Sequence, residues 1–232
     1  LIKDEKMKRK ILFAVTSHGE LGDTGKPTGY YLSEVTHPWS QLDETYEIDV
    51  VSPKGGKPPV EGVDLTDPIN KKYWNDPAWQ KKMAKTLKPE DVNPDEYIGI
   101  FYAGGHGVMW DFPDNKRLAE ICASIFANGG VVAAVCHGPA GLINVVLPDG
   151  KHLIRNRKVN SFTNAEEKAN GTEKVVPFLL QTALEEKGAN YDCAPPWSDF
   201  AIADGMLVTG QNPMSAKKVG KMMNDMLGNV GK

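Results

Sequence analysis

The chain has 232 residues, of which 41% are hydrophobic and 25% are charged, and its formal net charge at pH 7 is -3. This length is sufficient for a substantial core and predicts one α/β domain over residues 1–232. The nearly neutral charge disfavours binding to nucleic acid or to an anionic membrane, so we expect a small-molecule ligand.

The cysteines and the hydropathy pattern indicate where the protein works. The three cysteines, Cys122, Cys136 and Cys193, are widely spaced and odd in number. That pattern fits neither a disulfide framework nor a structural zinc cluster, and it predicts a reducing compartment. No apolar run approaches the roughly 20 residues of a membrane span, and the opening LIKDEKMKRK lacks the apolar centre of a signal peptide. We therefore expect a cytoplasmic protein with no membrane partner.

Four apolar runs predict β-strands in chain order: residues 10–17 (KILFAVTS), 46–53 (YEIDVVSP), 97–107 (YIGIFYAGGHG) and 131–136 (VVAAVC). Helical patterns lie between and after these runs, at residues 29–36, 116–127 and 174–187. Strands that alternate with helices predict right-handed crossovers and a largely parallel sheet with helices on both faces. The expected fold is therefore a flavodoxin-like α/β sandwich.

Two segments depart from this alternation. Residues 58–94 are rich in proline, lysine and aspartate, and they carry Tyr73, Trp74 and Trp79 at spacings that suit a short amphipathic helix. We interpret them as an ordered insertion near the ligand cleft, and the alternative is a surface excursion whose tryptophans pack on the body. Near the end of the chain, Asp204-Gly205 separates two apolar runs, which predicts a small antiparallel hairpin at one edge of the sheet.

Cys136 ends the fourth predicted strand, where ligands of open parallel sheets bind. The following HGPAGL places Pro139 close to a helix start, where proline is favoured. A strand, a sharp turn and a helix form a nucleophile elbow, and the helix N-terminus favours a thiolate. We therefore predict that Cys136 is a nucleophile, with a small core residue as the alternative. Cys122 and Cys193 lack this setting, and we expect them to be structural.

The third predicted strand also ends in glycines, at AGGHG. Gly104 and Gly105 allow the backbone to approach a ligand oxygen closely, so the amides of Gly105 and His137 are predicted to form an oxyanion hole. Two roles stay open for His106, which either lines the pocket or satisfies a hydrogen bond of the loop.

Five stretches of the chain together resemble the DJ-1/PfpI superfamily. Within it they are most similar to the branch of heat-inducible chaperones and glutathione-independent glyoxalases, called glyoxalase III or D-lactate dehydratase. The resemblance runs from about Lys10 to the C-terminal helix and implies a homodimer. The stretches are TGYYLSEVTHPW, AGGHGVMWDFP, AVCHGPAGL, SFTNAEEKANG and VTGQNPMSA.

The resemblance assigns roles to four side chains. It implies that Cys136 is the nucleophile, that His137 is its neighbour in catalysis and that Glu34 touches the sulfur. The acidic partner of the histidine falls on Glu167, with Glu166 as the alternative register and a solvated helix-start acid as the alternative role. Glu34 lies in a mostly apolar stretch, which predicts a raised pKa for its carboxyl, and the alternative is a plain surface glutamate.

The resemblance also implies an activity: conversion of methylglyoxal to D-lactate, or of glyoxal to glycolate, through a hemithioacetal of Cys136. This lyase chemistry would need no cofactor, and no metal-ligand spacing is evident. The alternatives are a stress-related holdase for misfolded proteins, a deglycase for glycated proteins, and a redox sensor based on oxidation of Cys136. A glutamine amidotransferase is disfavoured because no histidine follows His152. A cysteine peptidase is disfavoured because such sites in this superfamily form between subunits of larger oligomers.

Overall fold

The computed structural model describes residues 7–230, so residues 1–6 of the opening segment LIKDEKMKRK lie outside the described residues. No helix within this range is both long enough and apolar enough to cross a membrane. The strands are β1 (Lys10–Ala14), β2 (Tyr30–Tyr31), β3 (Glu47–Val51), β4 (Val60–Glu61), β5 (Tyr97–Tyr102), β6 (Val131–Val135), β7 (Lys158–Val159), β8 (Asn190–Tyr191), β9 (Ala201–Asp204) and β10 (Leu207–Gly210). The α-helices are α1 (Leu32–Trp39), α2 (Pro68–Trp74), α3 (Pro77–Met83), α4 (Val108–Asp111), α5 (Lys116–Ala127), α6 (Asn164–Ala169), α7 (Leu180–Glu186) and α8 (Ala216–Leu227).

Six strands form the central sheet, in the order β3-β1-β5-β6-β10-β9. Every neighbouring pair is parallel except β9 and β10, which pair antiparallel with Leu207 opposite Asp204. The predicted flavodoxin-like sandwich and its edge hairpin are therefore confirmed. Because β1, β5 and β6 run parallel side by side, their carboxyl ends and the loops that follow them meet at one edge of the sheet.

The two faces of the sheet form two separate cores, because successive side chains of a strand point to opposite faces. Ile11 and Phe13 of β1 belong to the core that α1 and α8 cover, and Phe13 stacks on Phe101 with ring centroids 4.7 Å apart. Leu12 and Ala14 of the same strand belong to the core that α5 and α7 cover. The central strands are consequently buried on both faces, which explains their nearly continuous apolar sequences.

Two predicted helices begin later than expected. The helix predicted at residues 29–36 starts at Leu32, because Tyr30 and Tyr31 instead pair with β4 as a short strand. The helix predicted at residues 174–187 contains only Leu180–Glu186. Pro177 accounts for the difference, since a proline disfavours helical conformation in the residue before it. The helix at residues 116–127 has the predicted bounds.

The segment 58–94 contains β4, α2 and α3, and both helices carry strong start signals. The carboxylate of Asp67 accepts hydrogen bonds from the first amides of α2, and Asp76 does the same for α3. Each aspartate is followed by a proline in the first helical position, where the missing amide hydrogen costs nothing. These local signals explain why two short helices form where the sequence pattern suggested one.

The aromatic residues of this segment pack on the body of the protein. Tyr73 and Trp79 are buried, and their ring centroids lie 6.5 and 6.3 Å from that of Trp39 on α1. Trp74 is only partly buried. The contacts agree with the alternative in which the tryptophans cover the core, and the division into one domain with an insertion stays a prediction.

We predict that Trp79→Ala costs about 3–5 kcal/mol of unfolding free energy, because the change leaves a large cavity against Trp39. Trp74→Ala, in the same segment, is the matched control and is expected to cost less than half as much. Urea denaturation followed by circular dichroism measures both. Equal losses would contradict a role for Trp79 in anchoring the segment to α1.

Candidate active site

The site is built on the turn that follows β6. Cys136 has a φ of 60°, a left-handed backbone conformation that is uncommon for any residue other than glycine. Its amide donates to the carbonyl of Gly210 at 2.9 Å, and its carbonyl accepts from the amide of Phe162 at 2.8 Å. The next residues form the 3-10 turn Gly138–Leu142, and a Cβ at Gly138 would overlap the carbonyl oxygen of Tyr102 on β5. Neighbouring strands therefore hold the turn in its strained shape.

Three side chains form a connected array at this turn. The Sγ of Cys136 lies 3.4 Å from Nδ1 of His137, and Nε2 of His137 lies 2.7 Å from Oε2 of Glu167. An ionised carboxylate only accepts hydrogen bonds, so Nε2 of the imidazole carries the hydrogen and Nδ1 is the acceptor that faces the thiol. All three residues are buried.

The two adjacent glutamates of α6 point to different partners. Glu167 bonds to His137, whereas the carboxylate of Glu166 accepts from the amide of Trp197 at 2.8 Å and closes the capping box of α6 with Thr163. The geometry thus favours the register that pairs Glu167 with the histidine. Neither glutamate is solvated, since both are almost completely buried.

A second histidine shares the Glu167 carboxylate. His106 donates from Nε2 to Oε1 of Glu167 at 2.9 Å, and its backbone amide donates to Oε1 of Glu61 at 3.1 Å. Burial lowers the pKa of His106, but the hydrogen bonds to Glu167 and Glu61 outweigh burial and raise it to about 9. His106 is therefore an imidazolium at neutral pH, and it fills both roles that the sequence left open, since it also lines the pocket.

The hydrogen-bond network keeps His137 neutral and Glu167 ionised. Burial, and then the charge of His106, lower the pKa of His137, so this imidazole is neutral and able to accept a proton. Burial alone would raise the pKa of Glu167, but the two histidines outweigh it and hold that pKa well below its ordinary value. One ionised carboxylate therefore links a neutral and a charged imidazole.

Glu34 is a buried acid beside the thiol. It lies in the first turn of α1, it is fully buried, and neither carboxyl oxygen has a partner at hydrogen-bonding geometry among the described residues. Its surroundings include the Cys136 thiol and the backbone of Gly104. Burial raises the pKa of Glu34 to about 8, although the thiol and the Gly104 amide act in the opposite direction. This agrees with the raised pKa that the apolar sequence predicts.

The Cys136 thiol departs from the sequence expectation. Burial, and then the proximity of the Glu34 carboxyl, raise the pKa of this thiol well above its ordinary value. The predicted thiolate, favoured by a helix N-terminus, is thus wrong for the resting protein. The physical reason is that the turn after Cys136 is a short 3-10 segment with a small dipole, whereas the desolvation of the sulfur is almost complete.

A pocket of about 250 Å³ opens above the sulfur. Gly105 has a φ of 99° and lines this pocket, and a Cβ there would overlap the carbonyl oxygen of Gly29. Its place in an oxyanion hole stays a prediction. The polar and glycine residues that line it are Glu34, Glu61, Gly105, His106, Cys136, His137 and Asn170, and the other lining residues are Tyr31, Phe162, Trp197, Pro213 and Met214. Cys122 lies in the core and Cys193 is exposed, so neither belongs to the pocket.

Two residues of this pocket, Glu61 and Trp197, lie outside every stretch that carries the family resemblance. Glu61 reaches His106 only because β2 and β4 pair, and no motif surrounds it in the sequence. Trp197 lies in an irregular stretch with two prolines. The quoted stretch VTGQNPMSA does contain Met214, but nothing in its pattern indicates a pocket wall.

Three side chains of the network are also possible metal ligands. Ligand atoms of His106, His137 and Glu167 lie within 4.8 Å of one another, a grouping that chain spacing did not reveal. The same atoms already pair with one another through hydrogen bonds. A metal ion would have to replace those bonds, so the residues fit a proton-handling network better than a metal centre.

Comparison with known proteins agrees with this architecture. Residues 27–224 match the family model described as the DJ-1/PfpI family. The glutathione-independent glyoxalase HSP31 of Saccharomyces cerevisiae is 36% identical, over 95% of this chain and 99% of that protein. The crystal structure of glyoxalase III from Candida albicans is 31% identical with a TM-score of 0.85, and it covers 94% of this chain and 96% of its own. The Rapid Encystment Protein of 24 kDa from Francisella tularensis is 40% identical with a TM-score of 0.91, over 95% of this chain and 99% of its own. The strained cysteine turn, the sheet and these matches together establish that the chain belongs to the DJ-1/PfpI family.

Proposed function

We propose that this protein is a glyoxalase that converts methylglyoxal or glyoxal to the hydroxy acid without glutathione. The observation that carries the proposal is the array of Cys136, His137 and Glu167 on a strained turn that faces a pocket. The names of the relatives support the same activity, since both the yeast protein and the Candida structure are called glyoxalases.

The first step is the attack of sulfur on the aldehyde. The S–H proton of Cys136 moves to Nδ1 of His137, and the sulfur electron pair forms a bond to the aldehyde carbon. The carbonyl electron pair moves to its oxygen, where the amides of Gly105 and His137 are the proposed hydrogen-bond donors. The oxygen then takes this proton from the His137 imidazolium, so that a hemithioacetal and a neutral imidazole result. The raised pKa of the thiol makes the neutral imidazole beside it necessary as a base.

The second step moves a proton between adjacent carbons. A base removes the hydrogen from the hemithioacetal carbon, the resulting enediol is protonated on the former ketone carbon, and a thioester of Cys136 remains. His137 and Glu34 are the proposed base and acid, because Glu34 with a pKa of about 8 keeps its proton at neutral pH. Water then cleaves the thioester and releases the acid and the thiol.

This sequence of steps balances without a cofactor. The aldehyde carbon is oxidised while the ketone carbon is reduced, and one water molecule is added, so no external electron acceptor is consumed. We propose D-lactate as the product from methylglyoxal and glycolate from glyoxal, with the enantiomer set by the face on which the enediol is protonated.

His106 and Glu61 support the array from one side. The imidazolium of His106 donates to Glu167 and keeps that carboxylate ionised, so that the carboxylate can orient the hydrogen of His137. Glu61 in turn accepts from the His106 amide and from the hydroxyl of Thr28 at 3.1 Å. We propose that His106 and Glu61 act by positioning the array of Cys136, His137 and Glu167.

The alternative functions have less structural support. Cys136 is only 3% exposed and its thiol has a raised pKa, so it is poorly suited to sense oxidants, which disfavours the redox sensor. The holdase and deglycase roles, the homodimer and the cytoplasmic location stay predictions of the sequence, and no feature described above favours a second function.

We expect purified protein to form D-lactate from methylglyoxal in the absence of glutathione and added metal, and Cys136→Ala to form none. Cys122→Ala, a buried cysteine outside the pocket, is the matched control and should keep its activity. An enantiomer-specific enzymatic lactate assay makes the measurement. A folded wild type that forms no lactate would remove the proposed function.

We expect His137→Ala to lower kcat by roughly 10²–10⁴-fold, because it removes the base that the buried thiol needs. Glu167→Gln should lower kcat less, since the carboxylate only orients the imidazole and stabilises its charge. Steady-state kinetics with methylglyoxal compare the two. A larger loss in Glu167→Gln than in His137→Ala would contradict this division of roles.

Stability should report the protonation of Glu34. Its pKa is about 8 in the folded protein and about 4.5 in an unfolded chain. Between these values the unfolded state ionises first, so the native state binds more protons and its stability falls as the pH rises. Glu34→Gln removes this penalty, and we expect its unfolding free energy relative to wild type to increase from pH 4.5 to pH 8.

Chemical denaturation at several pH values tests this expectation. Glu186→Gln, which changes an exposed glutamate, is the control and should show a flat difference. If the difference between Glu34→Gln and wild type were equally flat, the carboxyl would be ionised in the native protein and unable to supply a proton.

A further inference from the structure

Trp197 has an unusual backbone at the mouth of the pocket. Its φ is 68°, in the left-handed region that large side chains avoid. Its side chain lines the pocket, yet the residue remains 41% exposed. A bulky exposed residue gains little for the fold from such a conformation, so strain at this position points to a role in function.

Buried polar groups hold Trp197 in place. Its amide donates to Oε1 of Glu166 at 2.8 Å, and this carboxylate is completely buried. The same oxygen accepts from the side chains of Gln211 and Asn212 at 3.1 and 2.9 Å. Asn212 also donates to the carbonyl of Ser198, the residue after the tryptophan, at 2.8 Å. The backbone of Trp197 is therefore fixed from both sides by groups that do not touch the sulfur.

The indole of Trp197 extends an aromatic wall of the pocket that begins at the ring of His137. The ring of Phe162 lies 4.4 Å from that of His137, and the indole meets Phe162 edge to face at 5.6 Å. Met214, which is 54% exposed, lines the same pocket. The pocket thus combines a polar group of residues around Cys136 with an apolar wall that extends to the solvent.

The pocket is larger than methylglyoxal requires. Its volume of about 250 Å³ holds roughly eight water molecules at about 30 Å³ each, whereas methylglyoxal has only five non-hydrogen atoms. An aldehyde carbon bonded to the buried sulfur leaves the substituent on the ketone carbon to extend outward. Apart from Tyr31, the apolar and aromatic residues that line the pocket are Phe162, Trp197, Pro213 and Met214.

We propose that Trp197 is a specificity-determining residue that contacts the ketone substituent of the substrate. The substrate class that fits is 2-oxoaldehydes with an apolar or aromatic substituent, of which methylglyoxal is the smallest. The inference rests on the proposed glyoxalase function and assigns that site a preference. The strained backbone positions the indole at the pocket mouth. The hydrogen bond from the Trp197 amide to Glu166 maintains this backbone conformation.

The first measurement compares methylglyoxal with phenylglyoxal in wild type, Trp197→Phe and Trp197→Ala. In Trp197→Ala, kcat/KM for phenylglyoxal should fall roughly tenfold more than kcat/KM for methylglyoxal, because the aromatic substituent loses its apolar partner. Most of that change should lie in KM. Trp197→Phe should keep at least half of the wild-type preference. Val146→Ala, which changes a similarly exposed apolar residue that lines a different cavity, should leave the preference unchanged.

The second measurement tests the strain without any substrate. Trp197→Gly and Trp197→Ala both lack the indole, but only glycine tolerates a positive φ without cost. The melting temperature of Trp197→Gly should therefore exceed that of Trp197→Ala, which reverses the usual order for a glycine and an alanine. A lower melting temperature for Trp197→Gly than for Trp197→Ala would show that the left-handed conformation is not kept in solution. It would overturn the proposed orientation of the indole.

The outcomes separate the two proposals. An active wild type whose preference for phenylglyoxal is the same in Trp197→Ala would overturn the specificity role and leave the glyoxalase proposal intact. A wild type that turns over neither aldehyde would overturn the glyoxalase proposal and this inference with it. The expected shift in preference, together with the reversed melting order, would support both.

Discussion

The left-handed turn at Cys136 is the constraint on which the site depends. A thiol at the end of a buried strand would ordinarily point into one of the two cores. The positive φ turns the chain sharply, so that Cys136 and the following His137 both face the pocket. Hydrogen bonds from Phe162 and to Gly210 hold this shape, and Gly210 belongs to the buried strand β10 of the sheet. The stability of the parallel sheet is thereby used to maintain local strain at one residue.

Around this turn, environment rather than residue type decides which acid keeps its proton. Glu34 and Glu167 are both buried, but within residues 7–230 neither carboxyl oxygen of Glu34 has a partner at hydrogen-bonding geometry, and burial raises its pKa to about 8. Glu167 accepts from two imidazoles, and its pKa falls well below the ordinary value. Two carboxyl groups near one thiol are thus held in opposite protonation states at neutral pH. Such a separation suits proton transfer, which needs an acid and a base at the same time.

The segment 58–94 and the loop around Trp197 connect the outer parts of the chain to this centre. The helices α2 and α3 bury Tyr73 and Trp79 against Trp39, while β4 of the same segment brings Glu61 to His106. The segment therefore contributes both to the core and to the pocket, and its division from the body as an insertion stays a prediction. On the other side of the pocket, Glu166 joins the start of α6 to the loop that carries the indole.

The sequence by itself determined the strands β1, β3, β5 and β6, the edge hairpin, the cysteine turn and the family, because these depend on local periodicity, on turn residues and on short motifs. It also named Cys136, His137 and Glu34, which the tertiary structure brings together. Only the tertiary structure decided between Glu166 and Glu167, since the two are adjacent and differ only in the direction that α6 gives them. It also decided the contact of Glu61 with His106, the wall formed by Trp197 and the raised pKa of the thiol. These features arise from packing between distant elements and from the loss of water around buried groups, and neither is encoded in any short stretch of residues.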